Sequence, residues 1–280
     1  MNEPVPPHAD HVIRILFLGD VMGDPGRRAV AHLLPSLKEE LGVDFAIVNG
    51  ENIAGGRGIT PKLAIGLMRA GAAVVTTGDH IWDQKEIVPY FDEEPRLLRP
   101  INYPEGTPGQ GSLVLDTPKG KVGVINVQGR TFMKLLLENP FPVMEQAVAK
   151  MREETKVIFV DMHSETTSEK YALGRFLDGK VSAVVGTHTH VQTADERIFP
   201  HGTAFLCDAG MCGPVDSCIG MQVEASISRF LTPMPSKTHV ARGPGQVCGV
   251  VVDVDAQSGR ALRIERIQRF HDDREGLQSV

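Results

Sequence analysis

The sequence predicts an α/β fold, and three observations carry the prediction. Short runs rich in Val and Ile recur along the chain, segments of helical period lie between many of them, and several runs end in polar residues at a glycine. Continuous apolar runs of this length suit strands buried on both faces. Their alternation with helices implies that part of the sheet is parallel.

The elements follow in order. Residues 1–11 are rich in proline, lack the basic-then-apolar signature of a secretory signal, and read as a disordered leader. The first strand is Val12–Leu18. A helix over 27–41 places Ala29, Leu33, Leu34 and Leu37 at helical spacing. Runs at 45–48 and 72–77 flank a helix over 61–70, with Thr60 as N-cap and Pro61 at the first helical position. Leu113-Val114-Leu115, the turn Thr117-Pro118-Lys119-Gly120 and the run 122–127 read as a hairpin. Helices over 142–154 and 168–177 alternate with runs at 157–160, 183–185 and 203–206. A second hairpin joins 247–254 to 262–267 through Gln257-Ser258-Gly259. The second half therefore holds antiparallel strands, in a mixed sheet or a sandwich of two sheets. No repeat or linker divides the chain, and residues 12–280 read as one domain.

With 280 residues, the chain is long enough to bury a substantial core. A net charge of −6 argues against extended nucleic-acid binding, which needs a basic surface. It leaves room for a small phosphorylated substrate, because a bound metal supplies positive charge without adding to the Lys and Arg count. The four cysteines form no Cys-x-x-Cys pair. They read as reduced thiols of a cytoplasmic protein, and the spacing of Cys207, Cys212 and Cys218 gives little support to a zinc site. No apolar span is long enough to cross a membrane. A homo-oligomer is left open.

The functional signal lies at the strand ends. Gly19-Asp20, Gly50-Glu51-Asn52, Gly78-Asp79-His80, Asp161-Met162-His163 and Gly186-Thr187-His188-Thr189-His190 each follow an apolar run. In open α/β sheets, ligands bind beyond the carboxyl ends of the strands, so distant fragments converge there. Each fragment alone is weak: Gly-Asp is usually a turn, and a lone histidine is usually structural. His188-x-His190 is the exception, since two histidines bracketing one residue aim to one side of an extended chain. Carboxylates, an amide oxygen and imidazoles suit Mn, Fe, Zn or Co better than Ca or Mg. A carboxylate such as Glu51 can bridge two ions. Two ions about 3.5–4 Å apart clamp the attacking and leaving oxygens of a phosphoryl transfer and lower the pKa of water toward about 7.

This series resembles the calcineurin-like metallophosphoesterases, and more closely the bacterial YmdB-type subgroup of 2′,3′-cyclic-nucleotide phosphodiesterases. The likeness extends through Gly23-Asp24-Pro25-Gly26-Arg27, Trp82-Asp83, Arg99-Pro100, 128–132, Thr167-Ser168-Glu169-Lys170, 185–195 and 210–214. It implies a four-layer α/β/β/α sandwich of two mixed sheets flanked by helices. It also implies two divalent or mixed-valence ions, Fe or Mn first, with Zn or Co as alternatives. Asp20, Asn52 and His190 would hold one ion and Asp79, His163 and His188 the other, with Glu51 bridging. His80, just outside them, would stabilise the phosphate or protonate the leaving oxygen. The implied reaction is phosphodiester hydrolysis by in-line attack of a metal-bridging hydroxide. The implied substrates are 2′,3′-cyclic nucleotides first, with the 3′,5′-cyclic isomers as a further class.

Two positions depart from the family pattern. The superfamily's Asp-x-His is here Asp20-Val21-Met22, so Asn52 replaces an imidazole. The subgroup's Gly-Asn-His is here Gly78-Asp79-His80, which exchanges an amide for a carboxylate. Arg57, in Gly55-Gly56-Arg57-Gly58, and Arg130 are candidate substrate contacts. For Arg57 the plainer reading is a flexible turn, and for Arg130 an ion pair. Ser164 and Glu165 are candidate partners of a metal-bound histidine. His8, His11, His32, His201, His239 and His271 read as surface or structural. The competing functions are a phosphomonoesterase or protein phosphatase, and a regulatory metal- or nucleotide-binding protein. An amidohydrolase is disfavoured, because its His-x-His follows the first strand of a TIM barrel.

Overall fold

The computed structural model describes residues 11–232, 234 and 237–272. Of the leader expected at 1–11, only His11 falls within them; its carbonyl accepts from the Ala256 amide. In chain order the elements are β1 (Val12–Leu18), β2 (Asp20–Val21), α1 (Gly23–Leu41), β3 (Phe45–Asn49), α2 (Pro61–Arg69), β4 (Val74–Thr76) and α3 (Ile87–Tyr90). Then come β5 (Ser112–Thr117), β6 (Gly120–Gln128), α4 (Pro140–Met151), β7 (Ile158–His163), α5 (Thr167–Phe176) and β8 (Ala183–Thr187). The last are β9 (Arg197–Ile198), β10 (Ala204–Leu206), β11 (Met211–Pro214), α6 (Val223–Leu231), β12 (Gly245–Asp255) and β13 (Ala261–His271).

Two mixed sheets result. One runs β2-β11-β12-β1-β3-β4, with β13 on the other side of β12; the second runs β5-β6-β7-β8-β10-β9. Strands β1, β3 and β4 are parallel neighbours, as are β6, β7, β8 and β10. Both expected hairpins are antiparallel pairs, β5 with β6 and β12 with β13. The period-2 alternation of each strand builds the layers. Ile13, Ile15 and Phe17 of β1 face Val122, Val124 and Phe159 of the second sheet. Leu16 and Leu18 turn the other way, onto Leu34 and Leu37 of α1. On the far side, Ile125, Val127 and Val160 pack against Met144 and Val148 of α4 and Leu173 of α5. The order is α/β/β/α, which is why the runs read as apolar throughout rather than alternating.

Helix ends differ locally from expectation. Helix α1 begins at Gly23 rather than 27, since Pro25 has no N–H to leave unpaired in a first turn and Asp24 sits at the positive end of the helix dipole. A Cβ on Gly26 would lie 2.0 Å from the Cys212 carbonyl oxygen, so glycine lets α1 lie directly on β11. Helix α4 begins at Pro140 rather than 142, where Asn139 Oδ1 accepts from the Phe141 amide at 3.1 Å. The Thr60 cap of α2 is as expected, with Thr60 Oγ1 accepting from the Leu63 amide. Helix α6 has no counterpart among the expected elements; it buries none of its residues and leaves Ile227, Phe230 and Leu231 exposed.

Candidate metal centre

The carboxyl ends of β1, β3 and β4 in one sheet and of β7 and β8 in the other lie along one edge of the sandwich. Asp20 follows β1, Glu51 and Asn52 follow β3, Asp79 and His80 follow β4, His163 ends β7, and His188 and His190 follow β8. Their polar atoms converge. His163 Nε2 lies 3.2 Å from Asp79 Oδ1 and 3.4 Å from Glu51 Oε2. His188 Nδ1 lies 3.0 Å from His163 Nε2 and 3.5 Å from Asp79 Oδ1. Asn52 Nδ2 and His190 Nε2 are 3.2 Å apart, and Asp20 Oδ2 accepts from the His188 amide at 3.0 Å. Asp79 with His163 and His188, and Asp20 with Glu51 and His163, are each close enough to share one ion.

Each of the three histidines turns one ring nitrogen inward and anchors the other. His163 Nδ1 donates to Thr187 Oγ1 at 3.0 Å, and that hydroxyl donates to Asp161 Oδ1 at 2.8 Å. His188 Nε2 meets Glu165 Oε2 at 3.1 Å. His190 Nδ1 donates to the Ile219 carbonyl at 2.9 Å. An imidazole whose outer N–H is held by an oxygen has its tautomer fixed and presents a lone pair on the other nitrogen, the arrangement of metal-bound histidines. The donor set fits a cation on two further counts. Asp20 Oδ1 and Glu51 Oε2 are buried and accept no hydrogen bond, an expensive arrangement for carboxylate oxygens unless a cation meets them. A Cβ on Gly78 would lie 1.8 Å from Glu51 Oε2 and 2.4 Å from His163 Nε2, so only glycine leaves the space between them open.

The electrostatics agree. Burial pushes the Glu51 carboxyl well above its ordinary range, and the neighbouring Asp79 and Asp20 add to that. Burial works to lower His163, but Glu51, Asp79 and Asp20 outweigh it and lift the imidazole to about 10. Asp79 is held low: burial would raise it, and the bond to His163 with the charge of that ring more than offsets this. His188 is pushed down to about 4 by burial and by His163. The carboxylates Glu51, Asp79 and Asp20 thus favour a positive charge at this point of the site. Asp161, which joins Asn49, Thr76 and Thr187 beneath the centre, is raised to about 6 by burial.

His80 sits at the mouth. Its amide donates to Glu51 Oε1 at 2.7 Å, and its Nδ1 meets Asp83 Oδ2 at 3.0 Å. With Nδ1 held there, Nε2 faces Asp79, 4.0 Å from Oδ2. A cleft of about 440 Å³ opens over these residues. Arg57 lines it, while Arg130 lies outside it on the loop after β6, its amide donating to Glu169. Glu165 partners His188 rather than its neighbour in sequence, His163, and Ser164 donates to Glu169.

Sequence reasoning missed Arg229 and Thr238, which also line the cleft, and the buried pair Lys170–Asp208 behind His188-Thr189-His190. Asp208 carried a signal, since it follows the apolar run of β10 as the ligands follow theirs. Arg229 carried none. Among the remaining histidines, His201 pairs with Asp178, His32 stacks on His271, and His8 lies outside the described residues. The four cysteines carry free thiols, and Cys207, Cys212 and Cys248 are buried.

Comparison with known proteins gives a family and a set of relatives. The sequence model of the family described as YmdB-like protein matches residues 16–267. A protein of Bacillus subtilis (strain 168) named 2′,3′-cyclic-nucleotide 2′-phosphodiesterase is 49% identical over 255 residues, covering 91% of this chain and 96% of that one. A crystal structure described as a novel phosphatase, from Mycoplasma pneumoniae, superposes with a TM-score of 0.87 at 36% identity, covering 96% of this chain and 97% of that one. A hypothetical protein from Thermus thermophilus gives a TM-score of 0.86 at 38% identity, covering 92% of this chain and 100% of that one.

Proposed function

The chain belongs to the YmdB-like protein family, and on that premise we propose that its cleft hydrolyses the 2′ ester of 2′,3′-cyclic nucleotides, releasing nucleoside 3′-phosphates. The protein is an enzyme, a metal-dependent phosphodiesterase, and the cyclic nucleotide is the finer reading. The observation that carries the site is the set of three imidazoles anchored outward by Thr187, Glu165 and the Ile219 carbonyl around two buried, donorless carboxylate oxygens. In this reading Asp20, Asn52 and His190 hold one ion and Asp79, His163 and His188 the other, with Glu51 between. Iron or manganese suits this mixture of donors. When bound, two such ions supply Lewis acidity toward phosphoryl oxygens and a water acidic enough to ionise near neutral pH.

The protein's own residues do the rest. Asp83 fixes the His80 ring so that Nε2 faces the cleft, where it delivers a proton to the departing 2′ oxygen. Arg57 and Arg229 reach the cleft with no side-chain hydrogen bond or ion pair among the described residues, and each is available to a phosphate oxygen or the nucleotide. The buried Asp161 network holds β3, β4, β7 and β8 in register beneath the reacting groups.

The test is turnover by Mn²⁺- or Fe-loaded protein on adenosine 2′,3′-cyclic phosphate, with the 3′,5′-cyclic isomer, bis-p-nitrophenyl phosphate and the corresponding monoester alongside. The expected result is diester hydrolysis to the 3′-phosphate, faster than monoester hydrolysis. Protein that carries metal and turns over no diester would sink the reading.

A further inference from the structure

We propose that a second pocket, beside the catalytic cleft, binds a second phosphate of the substrate, so that the enzyme prefers cyclic-phosphate ends that carry a phosphate on the 5′ side of the same nucleoside. The inference rests on the nucleotide reading given above. The pocket has a volume of about 480 Å³ and is lined by Asp24, Arg28, Gly55, His239, Val240 and Arg242 among others. A cavity of that size is ample for a phosphate with part of its sugar.

Three segments tie the pocket to the cleft. At the start of α1, Met22 lines the cleft and Asp24 the pocket. In the glycine loop, Gly56 and Arg57 line the cleft, and Gly55 lines both. After α6, Thr238 lines the cleft and His239 the pocket. The two cavities adjoin at Gly55, and Val240 of the pocket packs against Gly23 and Gly56 there. A ligand with one phosphate in the cleft thus has the second pocket beside it.

The pocket has the charge for an anion. The Arg242 side chain is exposed and has no hydrogen bond or ion pair among the described residues. Asp24, the acidic residue of the lining, is bonded to both Arg27 and Arg28, so its charge is already met. From Ala225 to Val252 the sequence has no Asp or Glu, yet it holds Arg229, Lys237, His239 and Arg242, in a chain whose net charge is −6. The segment that borders both cavities therefore carries a net positive charge. A guanidinium without a partner takes a phosphate by a charge-assisted, often bidentate, contact.

The experiment uses the full metal-loaded chain and two readouts. Calorimetry compares adenosine 3′-phosphate with adenosine 3′,5′-bisphosphate, and kinetics compares adenosine 2′,3′-cyclic phosphate, its 5′-phosphorylated form and a dinucleotide ending in the cyclic phosphate. The bisphosphate is expected to bind about tenfold tighter, the order of one charge-assisted contact. In Arg242→Ala that preference falls below about twofold, while KM and kcat for the plain cyclic nucleotide stay within about twofold of wild type. Equal affinity for the two ligands in wild type overturns the proposal, and so does a preference that survives in Arg242→Ala. The dinucleotide separates two sources of the phosphate. A lower KM for it than for the plain cyclic nucleotide assigns the pocket to an RNA end, and a lower KM for the 5′-phosphorylated mononucleotide alone assigns it to a free terminal phosphate. If nothing is hydrolysed but the bisphosphate preference and its loss in Arg242→Ala hold, the hydrolytic reading fails and the pocket stands.

Discussion

At the residue scale, Asp79 sets the charge of the centre. With Asp20 and Glu51 it supplies three negative charges against four from two divalent ions, so one hydroxide would make the cluster neutral, where an asparagine at 79 would leave it positive. The extra carboxylate favours a more highly charged ion or weakens the hold on phosphate. Asp79→Asn is expected to lower the ferric share of bound iron or to tighten inorganic phosphate. Metal analysis, electron paramagnetic resonance and a phosphate titration check this, and no change in all three refutes it. His80 has a separate role. His80→Ala should retain its metal and lose about 10²- to 10⁴-fold in kcat, the usual worth of a positioned proton donor. Loss of metal together with rate would instead make His80 part of the ligand set. All seven side chains that converge at the cleft were legible in the sequence as candidates, because residues with metal-ligating atom types follow the strand ends there. Arg229 was not, since one arginine on an unforeseen helix looks like any solvated charge until the fold brings it over the cleft. The same limit applies to Glu165, which is close to His163 in sequence and bonded to His188 in space.

At the scale of elements, the segment His188-Thr189-His190 is held in a costly shape. His188 has φ 99° and His190 φ 66°, a region that non-glycine residues rarely occupy. The restraint comes from Asp208, just beyond β10. Its Oδ2 accepts from the Thr189 amide at 3.1 Å, the Thr189 hydroxyl at 2.7 Å and Lys170 Nζ of α5 at 2.8 Å. Its Oδ1 accepts from the Gly210 amide. Lys170 and Asp208 are both 1% exposed, so neither charge can turn to water. Asp208→Ala strands the lysine and is expected to cost about 3–5 kcal/mol, the range for breaking one side of a buried pair. It should also lower metal content more than Lys170→Met does, because only Asp208 holds the backbone between the two histidines. Urea unfolding and metal analysis of both variants provide the comparison, and equal metal content in the two would show that the carboxylate does not shape the segment. The longer strands were read from the sequence to within a few residues, because a doubly buried strand has an apolar run as its signature, whereas β2, β9 and β11 are too short to form one and were not read. Helix α6 has no such signature. It buries nothing, so no face of it is marked by burial.

For the molecule as a whole, apolar runs alone could not decide between one sheet and two, since a strand covered by a helix and a sheet looks the same as one covered by two helices. That question rests on which side chains meet, as when Ile15 and Phe17 face Phe159 rather than α1. The two-sheet answer would give the proposed metal centre a structural role as well as a chemical one. Asp20, Glu51, Asn52 and Asp79 come from one sheet, and His163, His188 and His190 from the other. Ions shared between these sets would clamp the sheets together along one edge. A ligand that binds only the folded chain stabilises it by about 2.7 kcal/mol at a hundred times its dissociation constant. For a chain of this size that corresponds to a rise of roughly 5–10 °C in the unfolding midpoint. Calorimetry with Mn²⁺ is expected to show such a rise, removal by a chelator to reverse it, and His163→Asn to abolish most of it, because His163 contacts carboxylates of the opposite sheet. A midpoint indifferent to Mn²⁺ in protein that demonstrably binds the ion would mean that the unfolded chain holds the ion as tightly as the folded one, and the convergence of the two sets would then lend the fold no support.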